Sequence, residues 1–444
     1  MKTLYRATQV NAADVGDLQA ALDLLPPQGG DVYLPAGCYE IAETVTCRLR
    51  EGQHLCLHGD GRATVIRFTA GDGSPLLALD GVPNSWWPDL RITLRDLTLV
   101  GNDRCGDAFL LRWPNDALID TCSFFGFGGA AITITPNATN VTIRDCWMRD
   151  CRSVLHADNL HHLTFHGNQT RSRDGGLLQR EHLHIGRHCR EVRIVNNHLA
   201  YGQAEAIVLD GTAQHVIANN TIEGFTVGIR ANDCRDIAIS ANYLHSPTGV
   251  LIEGDSRGLA ITGNLFTNNS GHAVQIRSSF GSGGHVISHN VVRQSVYSDG
   301  QGGIDLGDAA DCVVQGNVLE DIRHGEAIVG GPGAGHACSG NHVTDCAERA
   351  RGHLVGGSPE CEADNPFRAL NTWLAGQAAS TARVTLAFWE WRRMAGGALP
   401  PEAEQDSGWW RNDPATPQGR AWLGAGWLVV TVHRIEGRVV FARR

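Results

Sequence analysis

The chain has 444 residues, 42% hydrophobic and 19% charged, and its 37 basic and 47 acidic side chains leave a formal charge of −10. That balance excludes a disordered chain and argues against wholesale wrapping of nucleic acid or an anionic membrane. The 53 glycines come with only 16 prolines and no three-residue period, which excludes collagen and demands frequent turns. No window holds the roughly 18 to 20 unbroken apolar residues of a membrane helix. The start, MKTLYRATQV, lacks the apolar centre of a secretion signal, so the expectation is a cytosolic product without membrane contact. Thirteen cysteines, an odd number without CxxC, mostly sit in apolar runs, as at Cys122, Cys146, Cys312 and Cys338. They read as buried small hydrophobes rather than disulfides or metal ligands, and the sequence assigns no metal and no cofactor.

In chain order, Asp14 to Ile41 (DVGDLQAALDLLPPQGGDVYLPAGCYEI) opens with a short helix carrying Leu18, Leu22 and Leu25 on one face, followed by a first strand. A repeat then dominates. Short β-rich runs end in asparagine at Asn168, Asn197, Asn220, Asn242, Asn264, Asn290, Asn317 and Asn341, with a mean period of about 25 residues. Between them lies a second series, a small residue followed by alternating apolar ones: AIVLD from Ala206, GIRAN from Gly228, GVLIE from Gly249, AVQIR from Ala273, GIDLG from Gly303 and AIVGG from Ala327. Each period therefore holds at least two strands. The runs are too short, β-branched and alternating for a helical solenoid, the period is too short for propeller blades, and no leucine ladder is present. What remains is a coil in which every strand pairs in parallel with its copy one turn on, about 4.8 Å away. Asparagine suits a turn position, tolerating left-handed backbone and bonding the amide one rung above.

With this cap and ladder, residues 12–345 resemble the right-handed parallel β-helix of the pectin-lyase-like superfamily, whose start shares the helical cap and the GxVYLPAGxY strand. The resemblance implies an all-β, right-handed parallel β-helix solenoid with an N-terminal helical cap. Its divisions are a cap and first strand at 1–41, coil at 42–345, and a C-terminal cap and linker at 346–382. It does not choose among lyases, hydrolases, epimerases, fructotransferases and phage spikes. The sequence has no NTD, adjacent Asp-Asp or GHG as in polygalacturonases, and no RxPxxR or WxDH as in calcium-dependent pectate lyases, so an ordinary pectinase is disfavoured.

Outward side chains of stacked strands form columns, and function is to be sought by column. With Leu177, Ile207, Ile229, Val250, Val274, Ile304 and Ile328 as the inward register, the third position onward reads Arg180, Asp210, Asn232, Glu253 and Arg277. The first position onward includes Arg230 and Asp305, and Glu205 and His272 stand two positions before the register. These groups converge on one face. Asp210 and Glu253 are the candidate catalytic carboxylates, and Arg230 and Arg277 their cationic partners or an anion clamp. Glu205, His272, Asp305 and Arg180 are candidate substrate ligands. The set fits glycosidic hydrolysis between two carboxylates, or proton abstraction beside a uronate with a cation for the enolate; alternation of surface charge for solubility is the other reading.

A second, histidine-rich cluster holds His156, Asp158, His161, His162, His166, Arg180, Glu181, His182, His184 and His188. The longer step from Leu177 to Ile207 predicts that REHLHIGRHC bulges from the coil as a wall of the site. His182 is then a candidate acid or base and His184 a substrate ligand, and the two, at alternate positions with Glu181 nearby, are also the residues to consider for a metal. Trp86 and Trp87 in SWWPD, with Trp113 beyond, are a candidate sugar-stacking platform or a plug of the stack.

From Phe367 the repeat ends. Seven of the eleven tryptophans lie beyond it, with ten arginines against six acids, so this part is +4 and the remainder −14. The expected elements are a helix at Thr385 to Met394, a turn at Trp409 to Asp413, a helix at Gln418 to Leu423 and a hairpin of WLVVTV and RVVFAR, forming a small α+β domain at 383–444. The pattern Trp409-Trp410, Asn412, Gln418, Ala421-Trp422, Ala425-Gly426-Trp427, Val429 and Val439 to Phe441 resembles a small uncharacterised bacterial domain. That resemblance implies an intracellular setting, in some cases linked to nucleic-acid handling or phage defence. Arg392, Arg393, Arg411 and Arg420 with exposed tryptophans would bind phosphates and stack bases; a docking or oligomerisation module with a tryptophan core is the alternative. The leading expectation is an enzyme acting on a glycan or oligosaccharide. Its rival is a non-enzymatic scaffold recruiting nucleic acid or a protein through the tail, and self-association is open in both.

Overall fold

A computed structural model describes residues 9–83, 91–172, 180–277, 282–293, 302–322, 327–330, 335–344, 367–378, 381–388, 390–391, 402–403, 407–413, 416–433 and 437–444. Each period supplies three strands, within the expectation of at least two. Arg193–Val195, His198–Ala200 and Glu205–Asp210 make one turn, and Ala213–Ala218 then stacks in parallel on Arg193–Val195. Repetition builds three parallel sheets, with 14, 13 and 12 strands among the described residues, and about 13 turns of coil. Inward positions are apolar files. Leu183, Ile207, Ile229, Val250, Val274 and Ile304 lie one above another and are fully buried. Because both faces of such a file touch like side chains, every added rung extends one continuous core.

The helical cap is present as Leu18–Asp23, started by the Asp17 side chain accepting from the Gln19 amide. Leu18 and Leu22 close the end of the core, and Gln19 ties the cap to the first rung by donating to the Thr46 carbonyl and accepting from its amide.

The eight asparagines form a ladder, buried from Asn168 to Asn317 and partly exposed at its last member, Asn341. Asn220 is typical: its Nδ2 donates to Ile194 O at 2.8 Å and to Asn242 Oδ1 at 3.0 Å, while its Oδ1 accepts from the Asn197 backbone and side chain. No amide function is wasted, as burial requires. The left-handed backbone falls one residue earlier than expected, at Gly167, Asn196, Asn219, Ala241, Gly263, His289, Gly316 and Gly340. That residue makes the bend, and the ladder asparagine is thereby aimed inward.

At another corner, buried histidines do similar work. His215 Nδ1 accepts from Val192 N–H at 3.1 Å and its Nε2 faces Thr212 Oγ1 at 2.5 Å; His285 repeats this with Leu259 and Ser282. Among the described cysteines none is in a disulfide. Cys122, Cys146 and Cys312 are buried as expected, whereas Cys338 is exposed, because its strand is the last of its sheet among the described residues and no further rung lies on it.

The C-terminal part has its own core and a three-stranded antiparallel sheet. The expected hairpin is Trp427–His433 with Arg438–Arg443, and the expected helix is Pro417–Gly424. Two expectations change. Arg383–Ala387 is the third strand, so helical backbone starts at Phe388 rather than Thr385. The helix Arg368–Ala375 puts Leu370 and Leu374 into this core, which therefore begins at Phe367 instead of 383. Trp391, Trp410, Trp422 and Trp427 are core residues at no more than 2% exposure, so none of these four is a base-stacking surface. Arg411 Nε donates to the Gly408 carbonyl and Arg420 is exposed; Arg392 and Arg393 lie outside the described residues.

Candidate active site on the twelve-stranded sheet

The outward face of the twelve-stranded sheet carries two columns of interest. Val208, Arg230, Leu251, Gln275 and Asp305 are in register, as are Asp210, Asn232, Glu253 and Arg277, so the five rungs from Glu205 to Asp305 form one face. Asp210 and Glu253 stand two rungs apart with Asn232 between them. Asn232 Nδ2 donates to Asp210 Oδ1 at 2.8 Å. Arg230 Nε meets Glu253 Oε2 at 2.7 Å and its NH1 lies 3.8 Å from Glu205 Oε1. The Glu253 hydrogen bond holds the Arg230 guanidinium above its ordinary pKa. Farther along, His272 Nε2 lies 3.9 Å from Asp305 Oδ2, and burial lowers the histidine's pKa; Arg277 is the rung neighbour of Glu253.

The register below Ile207 differs from the expectation. Leu183, not Leu177, pairs with Ile207, so Leu183–Ile185 is a rung of the sheet and REHLHIGRHC does not bulge as a whole. The longer step lies between the strands Gln169–Arg171 and Leu183–Ile185. Residues 173–179 are outside the described residues, as are Trp86 and Trp87. Shifting the rung by six residues removes Arg180 from the Asp210 column and puts Gly186 there. It also puts His184 next to Val208 and His156 next to His184. Two clusters separated in the sequence thereby become one groove. One section, about 210 Å³, is lined by Glu181, His184, Glu205, Val208, Asp210, Arg230 and Asn232. It meets at Glu181 a second section of about 280 Å³ that includes His156, Arg152 and Arg180.

His182 is corrected. It occupies the position of the small residues Ala206, Gly228, Gly249 and Ala273, which face the core at a corner: a Cβ on Gly228 would touch Leu244, and one on Gly249 would touch Phe266. His182 is 1% exposed, bonded through Nδ1 to Thr170 Oγ1 at 2.9 Å and Nε2 to Ser172 Oγ at 3.2 Å, and edge-on to Phe225. Burial pushes its pKa down to about 3, so it is a neutral strut with no access to a substrate.

Glu181, which the sequence offered only as a neighbour of His182 and His184, belongs to the groove. Its Oε1 is 3.2 Å from His184 Nδ1, and that hydrogen bond raises the His184 pKa. For Glu181, burial acts upward, but the bond from His184 and the nearby positive charge outweigh it, and the pKa falls. His156 stacks on His184 with ring centres 4.6 Å apart and bonds Asp158 at 2.9 Å. Four carboxylates, from Glu181, Glu205, Asp210 and Glu253, thus surround one guanidinium and one imidazole.

Residues 181–347 match the family described as the right handed beta helix region. The chain carries a right-handed parallel β-helix. The β-helix is similar to the A-module of the mannuronan C-5 epimerase AlgE6 of Azotobacter vinelandii, at 18% identity and TM-score 0.53, covering 76% of this chain and 99% of that one. It is also similar to an exopolygalacturonase of Thermotoga maritima, at 10% identity, TM-score 0.46 and coverage of 77% and 93%. An alginate lyase of Paenibacillus sp. str. FPU-7 aligns at 12% identity, TM-score 0.41 and coverage of 57% and 93%. No curated protein matches the sequence. At these identities the likeness is one of fold.

Proposed function

We propose that the protein is a glycan-cleaving enzyme that lays a saccharide chain along the twelve-stranded face and hydrolyses a glycosidic bond between Asp210 and Glu253. The observation that carries this reading is the two-rung separation of these carboxylates beside one groove, with Arg230 drawn to Glu253 and Asn232 to Asp210. Two rungs put the backbones about 9 to 10 Å apart. Side chains that lean together come into the roughly 6.5 to 9.5 Å range of an inverting pair with a water between its members. Glu253, ion-paired to Arg230, is placed to activate the water. Asp210, without an ion pair among the described residues, is placed to protonate the leaving oxygen. Glu205 steadies the far side of Arg230. The section around Asp210, with Glu181, Glu205 and Asp210 against Arg230, favours a neutral sugar there over a uronate, whose carboxylate would be repelled.

The test is a glycan screen followed by product analysis. Asp210→Asn and Glu253→Gln should each lower kcat by about 10² to 10⁴-fold on the glycan found, with melting temperature unchanged. Proton NMR should show the inverted anomer. An unsaturated product or a C-5 epimer would replace hydrolysis by proton abstraction, and unchanged rates in both variants would remove this pair from catalysis.

A further inference from the structure

Parallel stacking brings together His156, Asp158 and His184, which the sequence separates by up to 28 positions. One donor atom from each lies within 4.8 Å of the others. The two imidazoles stand on adjacent rungs, nearly parallel at 12°, and Asp158 Oδ2 lies 2.9 Å from His156 Nε2. His184 uses Nδ1 for Glu181, which leaves Nε2 directed away from that carboxylate. Gly186 keeps a space open at this point: a Cβ there would run into Asp158 Oδ1 and lie 3.2 Å from His184 Nε2.

We propose that His156, Asp158 and His184 form a binding site for one divalent transition-metal ion of the zinc type, with its open positions on the groove. Two imidazole nitrogens and one carboxylate oxygen are a borderline donor set, suited to zinc, cobalt or iron(II) and poorly suited to calcium or magnesium. Bond lengths of about 2.0 to 2.2 Å require donors roughly 3.4 Å apart, so the stacked rings need only tilt toward one another. Glu181 supplies the outer-shell carboxylate that fixes the ring orientation of a ligating histidine. Three protein ligands leave room for water or a sugar oxygen, the pattern of an open site rather than a structural one. The site does not rest on the glycan-hydrolase reading, since metal binding is measured without substrate.

The experiment uses the full chain, stripped with chelator, titrated with Zn²⁺ by calorimetry and with Co²⁺ by visible absorption. The expected result is one equivalent of Zn²⁺ bound and a Co²⁺ spectrum of low coordination number, with Ca²⁺ unable to compete. Asp158→Asn and His156→Gln, close in volume to the originals, should weaken binding at least about 100-fold, and Glu181→Gln about 10 to 100-fold. His198→Ala, an exposed histidine on another sheet, should leave binding unchanged. Circular dichroism checks that each variant is folded, and His184→Gln replaces any that is not. No Zn²⁺ binding, full binding in the folded ligand variants, or preferential binding of Ca²⁺ would each overturn the site.

Discussion

Acid should unfold the coil through its buried histidines. His215 and His285 are 1% and 0% exposed, and each accepts a backbone N–H at Nδ1 while its Nε2 faces a hydroxyl. The accepting nitrogen must lack a proton, so Nε2–H is the tautomer, donating to Thr212 or Ser282. Protonation would set a second donor against Val192 or Leu259. Burial accordingly lowers both pKa values to about 4, against about 6.5 in the unfolded chain. Above pH 6.5 both states hold these rings neutral and there is no effect. As pH falls from 6.5 towards 4, the unfolded state takes up protons that the folded state refuses, and stability declines; below 4 the contribution levels off. At pH 5 the loss is about 2 kcal/mol for each ring, roughly 4 kcal/mol for both. Urea unfolding followed by far-ultraviolet circular dichroism at pH 7, 6 and 5 measures it, with the His215→Gln/His285→Gln double variant as reference. The wild type should lose midpoint steeply over this window and the variant much less, whatever its starting stability. Equal slopes in the two proteins would refute the assignment of neutral, tautomer-locked rings.

Asn220→Ala removes one rung of the amide ladder and leaves the Asn197 backbone and side-chain donors without their acceptor. At about 1 to 3 kcal/mol for each buried orphan, the expected loss is about 3 kcal/mol in denaturant unfolding, and a shift below 1 kcal/mol would show that water replaces the amide. Trp422→Ala deletes a fully buried ring that stacks on Trp410 and whose Nε1 donates to Asn412. A cost of about 3 to 5 kcal/mol should make residues 367–444 protease-sensitive while the coil resists, and equal resistance of both parts would contradict a separate tryptophan core.

Much of the architecture was legible because its causes are local or strictly periodic. Alternating apolar residues recur with the asparagines, and a parallel stack is what such a period can bury. That suffices to place Asp210, Arg230, Glu253 and Arg277 on one face, since the steps from Ile207 to Val274 are 22, 21 and 24 residues. The sequence could not say where a longer period accommodates its extra residues. Leu177 and Leu183 are equally apolar, and only pairing with Ile207 chooses Leu183. That choice turns His182 into the core, brings Glu181 and His184 to the groove, and stacks His184 on His156. In the C-terminal domain the tryptophan and arginine pattern was visible, but which rings are buried was not, because it depends on the helix Arg368–Ala375 and the strand Arg383–Ala387 packing against distant residues. Periodicity within the chain determines the coil; register between rungs, a relation among residues more than twenty positions apart, decides which side chains share a site.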